Sequence, residues 1–355
     1  MKKLNSLLVL FAFLPIFFTA CTSDPEPQFA VDTYDNGVLI VNEGNFFSGD
    51  GEITHYNQET EEIINSLYQT VNGVVLAAYI EKVRVFGEHA YIVDSNMGGA
   101  KVVAVDKATF REKGRVEGLD IPRDVAIADN KLFIADWGAY DEDGNYTNPN
   151  SFVAVADIDG GAILEKIPVS SRPQSIVAFD GFVYLVCEAS KEIIKINPTS
   201  LEVVAAEVQE ASPKELLISE GRLILYSTLD QKLHLDLIDP TTLSSSKKVF
   251  DIPNSTRLVL DGEGQAWVLT SAYSADYSYT DNQVINFSIE GNGTPKTVYE
   301  ARNLRGVGLD KANQHLYIAD DNGIQGNGTV VITDLQGEEM SKLHVGRVPS
   351  KFYFY

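Results

Sequence analysis

The chain has 355 residues, 44% hydrophobic and 22% charged, enough apolar material for a large core and too much for intrinsic disorder. Asp and Glu outnumber Lys and Arg by 50 to 28, and the resulting net charge of −22 repels phosphate backbones, which excludes nucleic acid as a partner. The 2 cysteines, Cys21 and Cys187, cannot frame a disulfide scaffold, and the 5 scattered histidines offer no zinc-ligand spacing.

In chain order, Lys2 and Lys3 precede an apolar run from Leu7 to Phe18. The run is too short to span a bilayer and reads as a secretory h-region. Phe18-Thr19-Ala20-Cys21 resembles a bacterial lipobox, in which the cysteine thiol is acylated and becomes the new N-terminus. Residues 1–20 then read as a lipoprotein signal peptide, and residues 21–33 as acylated Cys21 with an extended tether containing Pro25 and Pro27. The alternative is an ordinary signal peptide with an incidental Cys21. Under the lipoprotein reading the protein is held at the outer membrane by its acyl chains, on the cell-surface side.

Residues 34–355 carry an internal repeat. Short β-type runs start at Val38, Ala90, Leu132, Val183, Leu223, Ala266 and Leu316, spaced by 52, 42, 51, 40, 43 and 50 residues. Each follows a polar turn such as Asp180-Gly181 and is succeeded by a second strand, which usually ends in an Asp/Asn turn such as Asp106-Lys107 or Asn197-Pro198. Four strands per unit of this length is the pattern of a β-propeller. The C-terminal Pro349 to Phe354 is similar to the openings Pro122-Arg123-Asp124, Pro173-Gln174-Ser175 and Pro213-Lys214-Glu215, whereas the first unit has no such strand. The expected fold is therefore all-β: a seven-bladed propeller closed by its C-terminal strand, with no helical period longer than a turn.

Tyr91-Ile92-Val93-Asp94, Phe133-Ile134-Ala135-Asp136 and Tyr317-Ile318-Ala319-Asp320 resemble the YVTN repeat of YncE-like propellers. Leu39 to Phe46 and Val71-Asn72-Gly73 are similar to segments of propeller lipoproteins of Bacteroidetes, some of which capture vitamin B12 beside a TonB-dependent transporter. The resemblance implies a non-enzymatic outer-membrane lipoprotein that binds a small molecule or glycan, a corrinoid first among them, and passes it to such a transporter.

The loops after the second strand of each blade share one face with the entries to the inner strands. Asn42, Asp94, Asp136 and Asp320 end second strands on four adjacent blades and offer an oxygen set for Ca²⁺. With such a metal the fold would suit a hydrolase of the lactonase type, an alternative to binding. Turn capping is the competing role for the same four residues. Arg123, Gln174, Lys214 and Arg257 align at the inner-strand entries, with Glu81 interrupting and Arg305 and Arg347 less regular. These cations can meet carboxylate or phosphate groups of a ligand, or pair with the nearby acids. Three long loops carry aromatics: Phe46 and Phe47; Trp137, Tyr140 and Tyr146; and Tyr273, Tyr277 and Tyr279. Aromatics on long loops over a rigid scaffold point to a ligand surface, or to a scaffold that binds another protein. Tyr91, Phe133, Tyr184, Trp267 and Tyr317 share one repeat position and read as core between blades, and Cys187 as a structural thiol.

Overall fold

The computed structural model describes residues 32–96, 98–141, 148–272, 282–291 and 293–355. From Thr33 to Tyr355 the chain forms seven antiparallel sheets, the blades of a propeller. Their inner strands are, from the second blade to the seventh, Ile80–Phe86, Pro122–Ala128, Pro173–Phe179, Ser212–Ser219, Ser255–Leu260 and Leu304–Asp310. The first blade takes its inner strand, Pro349–Phe354, from the far end of the chain, paired antiparallel with Val38–Asn42. Closure gives every blade an inner strand and ties the two ends of the chain into one sheet.

The seam is aromatic. Phe352 and Phe354 pack against Tyr317 of the seventh blade, with ring centroids 5.8 and 5.1 Å apart. Gly308 lies under this contact, and a Cβ there would stand 2.6 Å from the Phe352 ring, so the seam requires glycine.

The aromatic repeat position is core, as its recurrence predicts. Tyr91, Phe133, Tyr184, Trp267 and Tyr317 are all buried, worth about 1.5–3 kcal/mol each by area. The three tyrosines also tie neighbouring blades together. Tyr91 donates to the Ile158 carbonyl at 2.7 Å, Tyr184 donates to that of Pro240 at 3.0 Å, and Tyr317 accepts from Gln58 at 2.9 Å. The turns after the third strands are closed by short acceptors in the same way. Asn57, Asn197 and Asp239 each accept from backbone N–H groups two and three residues on, and Asp310 does the same after the inner strand of the seventh blade.

Two blades depart from the four-strand plan. In the first, the outer strand is only Ile63–Ile64, and a helix, Leu67–Asn72, follows with Leu67 and Tyr68 buried. Six residues are less than two turns, too few to show a helical period in the sequence. In the fifth, the outer edge is split into Ser245–Ser246 and Val249–Phe250.

Candidate functional site

Each of the seven inner strands carries a β-bulge near its start, where two residues oppose one on the neighbouring strand. The extra residue is Ser350, Glu81, Arg123, Gln174, Lys214, Thr256 or Arg305, from the first blade to the seventh. All seven line one of two cavities on the central axis. The channel has a volume of about 580 Å³ and the mouth about 270 Å³, and they share Glu81, Arg123 and Arg257 as walls.

The register corrects the sequence alignment by one residue. Thr256, not Arg257, occupies the bulge of the sixth blade, and Arg305 sits at the bulge of the seventh and not in an irregular position. Ser255 and Leu304 stand where Pro122, Pro173 and Pro213 mark the strand start in other blades, so no proline signals the register there. Arg347 is on the outer strand of the seventh blade and pairs with Asp50 at 3.2 Å.

The residue after the bulge lines the channel in four blades, as Lys82, Glu215, Arg257 and Lys351. Lys82 of the second blade lies 2.7 Å from Asp124 of the third and reaches Glu215 of the fifth at 3.0 Å. Arg84 lies 2.8 Å from Asp124 and 3.6 Å from Glu215. Two cations thus meet two carboxylates. Burial opposes the charge on Asp124, but Arg84 and Lys82 prevail and hold its carboxyl well below the usual range. Lys214 pairs with Glu188 at 3.4 Å, and Arg123 pairs with Glu81.

Charge does not balance around Glu43. Glu43, in the loop between the second and third strands of the first blade, is buried and receives Lys351 at 2.8 Å, Arg305 at 2.7 Å and Arg257 at 3.7 Å. Burial raises its pKa, but the three cations outweigh this and hold it far below an ordinary glutamate. The Glu43 backbone is pinned on both sides, its N–H donating to Val348 and its carbonyl accepting from Ile80.

The mouth is walled by Phe46, Tyr79, Trp137 and Tyr140 together with Glu43, Arg123, Arg257 and Arg305. Trp137 is flanked by two guanidinium groups, Arg123 at 4.4 Å and Arg172 at 5.0 Å from its ring. Its indole N–H is buried without an acceptor among the described residues. Phe46 meets Tyr79 edge to face at 5.4 Å. Phe47 lies outside this lining, 93% exposed, and Val74, Val75, Tyr140 and Ile324 are further exposed apolar side chains. Of the residues the sequence singled out, Phe46, Trp137, Tyr140, Arg123 and Arg257 meet here. Tyr146, Tyr273, Tyr277 and Tyr279 lie outside the described residues.

Asn42, Asp94, Asp136 and Asp320 are each engaged within their own blade, the three aspartates at turns and Asn42 across to the neighbouring strand. Asp94 accepts from the backbone N–H groups of Tyr79 and Asn96 and from Lys101. Asp136 accepts from those of Asp120, Ile121 and Gly138, and Asp320 from that of Asn322. Asn42 donates to Thr54 at 2.9 Å. Among the described residues no group of three or more His, Cys, Asp or Glu side chains is placed to hold a metal ion. Cys187 is buried at a strand end, and burial pushes its thiol up to about 12, far from a reactive thiolate.

Glu43, Tyr79, Lys82, Arg84, Asp124, Glu215 and Lys351 went unmarked in the sequence as site residues. A usable signal was present: polar residues recur at one position of otherwise apolar inner strands.

Similar structures confirm the fold. A quinonprotein alcohol dehydrogenase-like protein from Bacteroides thetaiotaomicron superposes with a TM-score of 0.65 at 12% identity, covering 91% of this chain and 79% of its own. A proposed 6-phosphogluconolactonase from Bacteroides uniformis gives 0.62 at 15%, covering 90% and 100%. Another, from Bacteroides fragilis, gives 0.62 at 13%, covering 93% and 100%. No curated protein matches the sequence. The model of the domain of unknown function DUF5074 matches residues 36–345, most of the ring, and the chain belongs to that family.

Proposed function

We propose that this protein is a binding protein that captures a small molecule or glycan at the mouth of its channel. One observation carries the reading: four aromatics wall the mouth, among them Trp137, whose indole N–H has no acceptor among the described residues, beside a larger polar channel. Convergent aromatics with a few placed polar groups are the usual composition of a ligand site. The aromatic loop residues Phe47, Tyr146, Tyr273, Tyr277 and Tyr279 would extend that surface. By its likeness to the B12-capturing propeller lipoproteins, a corrinoid is the first ligand to test. Acylated Cys21 would hold the protein at the outer membrane, within reach of a TonB-dependent transporter that takes the ligand on.

The test is calorimetric titration of the purified propeller with cyanocobalamin and with a glycan panel, alongside Trp137→Ala. Binding that weakens about tenfold or more in the variant supports the mouth as the site. Binding unaffected by Trp137→Ala overturns it. Metal-dependent hydrolysis of a sugar lactone by the purified protein would replace the reading with the lactonase alternative.

A further inference from the structure

We propose that the wall formed by Arg257, Arg305 and Lys351 is an oxyanion subsite, in which Glu43 occupies one side and a phosphate or carboxylate group of the ligand takes the other. The inference rests on the binding reading above and names the ligand's anchoring group.

The argument starts from charge. Along the channel, Lys82 and Arg84 are matched by Asp124 and Glu215, Lys214 by Glu188, and Arg123 by Glu81. On the remaining wall, three cations from three adjacent blades share one carboxylate at ion-pair distance. Asp321 adds its field at Arg305 but is engaged by the backbone N–H groups of Gly323 and Ile324, and it makes no ion pair with any of the three. Like charges gathered in a half-buried wall repel, and the fold keeps them together in a protein that is otherwise strongly acidic.

Unused hydrogen-bonding groups lie at the same place. Among the described residues the Nε atoms of Arg257 and Arg305 are buried without an acceptor, and the hydroxyl of Ser350, a residue only 1% exposed beside Lys351, is buried without a partner. Ser350, Lys351 and Arg257 line the channel, while Arg257 and Arg305 also face the mouth. Guanidinium, ammonium and hydroxyl donors where the channel and the mouth share the Arg257 wall match the acceptor chemistry of a phosphate or a carboxylate. Glu43 holds the cations in position while the site is empty, because its backbone is tied to Val348 and Ile80.

The test uses the folded propeller in chloride buffer, titrated at constant ionic strength with inorganic phosphate and, in a parallel arm, with succinate. Saturable calorimetric binding of either is expected, and the stronger arm identifies the phosphate or the carboxylate source. Arg257→Gln and Lys351→Met should each weaken it about tenfold or more, as loss of a charge-assisted contact requires. Glu43→Gln, which removes the competing carboxylate and keeps the shape, should tighten it. No saturable binding of either anion to the wild type, or binding that survives both cation substitutions, overturns the subsite. Should phosphate or succinate bind where neither cobalamin nor any glycan does, the subsite stands and the mouth reading fails. Should cobalamin or a glycan bind while both anions fail, the mouth reading stands and the subsite falls.

Discussion

The channel and its mouth carry two ion clusters, and both draw on the residue that follows the inner-strand bulge. Lys82 and Glu215 take the place in the second and fifth blades that Arg257 and Lys351 take in the sixth and first. The first cluster is neutral and its central carboxylate, Asp124, is fully buried, accepting from Lys82, Arg84, Ser175 and two backbone N–H groups. The second sets three cations around Glu43. A balanced buried lattice supports the fold, since breaking it strands a charge. An unbalanced one is complete only when something else supplies the missing negative charge. Position in the repeat therefore does not separate scaffold from site; charge balance does.

The largest expected effect breaks the neutral cluster. Asp124→Asn leaves Lys82 and Arg84 opposite Glu215 alone and should cost about 3–5 kcal/mol, read as a lowered urea midpoint with unchanged slope. Phosphate should not restore that loss, because Asp124 lies within the wall, fully buried, and does not face the channel. Glu43→Gln in chloride buffer should also lower the midpoint, and saturating phosphate should recover it, by about 2.7 kcal/mol at a hundredfold excess over Kd. Equal recovery in both variants would erase the distinction between the clusters.

Acid provides the next comparison. The carboxyls of Asp124, Glu215 and Glu43 titrate below their ordinary values when folded, so the unfolded chain binds more protons at low pH. Their contribution is complete above about pH 5 and is lost as pH falls through the carboxylate range towards their lowered folded values. Asp94 and Asp136, which burial raises, act with the opposite sign, favouring the fold in acid and losing that contribution as pH rises through their folded pKa. Stability measured from pH 7 to pH 3 should therefore fall, and the fall should be shallower in Asp124→Asn. An unchanged profile in that variant would show that the neutral cluster does not govern the acid response.

The smallest effect is expected from Arg257→Gln. Its side chain is 38% exposed and 3.7 Å from Glu43, so its loss should change stability by less than about 1 kcal/mol while weakening phosphate binding. A large stability loss with unchanged binding would move Arg257 from the subsite to the scaffold.

Much of the architecture was legible because a propeller repeats its reasons. Tyr91, Tyr184 and Tyr317 recur because each blade meets the next in the same way, and the opening at Pro349 looks like those at Pro122 and Pro213 because it does the same job. The mouth aromatics Phe46, Trp137 and Tyr140 were legible for a related reason, since loop insertions disturb the spacing. The helix at Leu67–Asn72 was hidden by its length. Arg305 and Thr256 were misplaced because Leu304 and Ser255 replace the proline marker, and a bulge leaves no periodic trace when its residue types vary.

The sequence by itself determined the number of blades, the closing strand and the buried aromatic girdle. These depend on local patterns that every repeat must satisfy. Only the tertiary structure decided which charges meet. Lys82 finds Glu215 across 133 positions of chain, and Lys351 finds Glu43 across 308, because ring closure makes neighbours of distant segments. Whether a cation is neutralised or left to recruit an anion is a property of that enclosed space, which no single repeat contains.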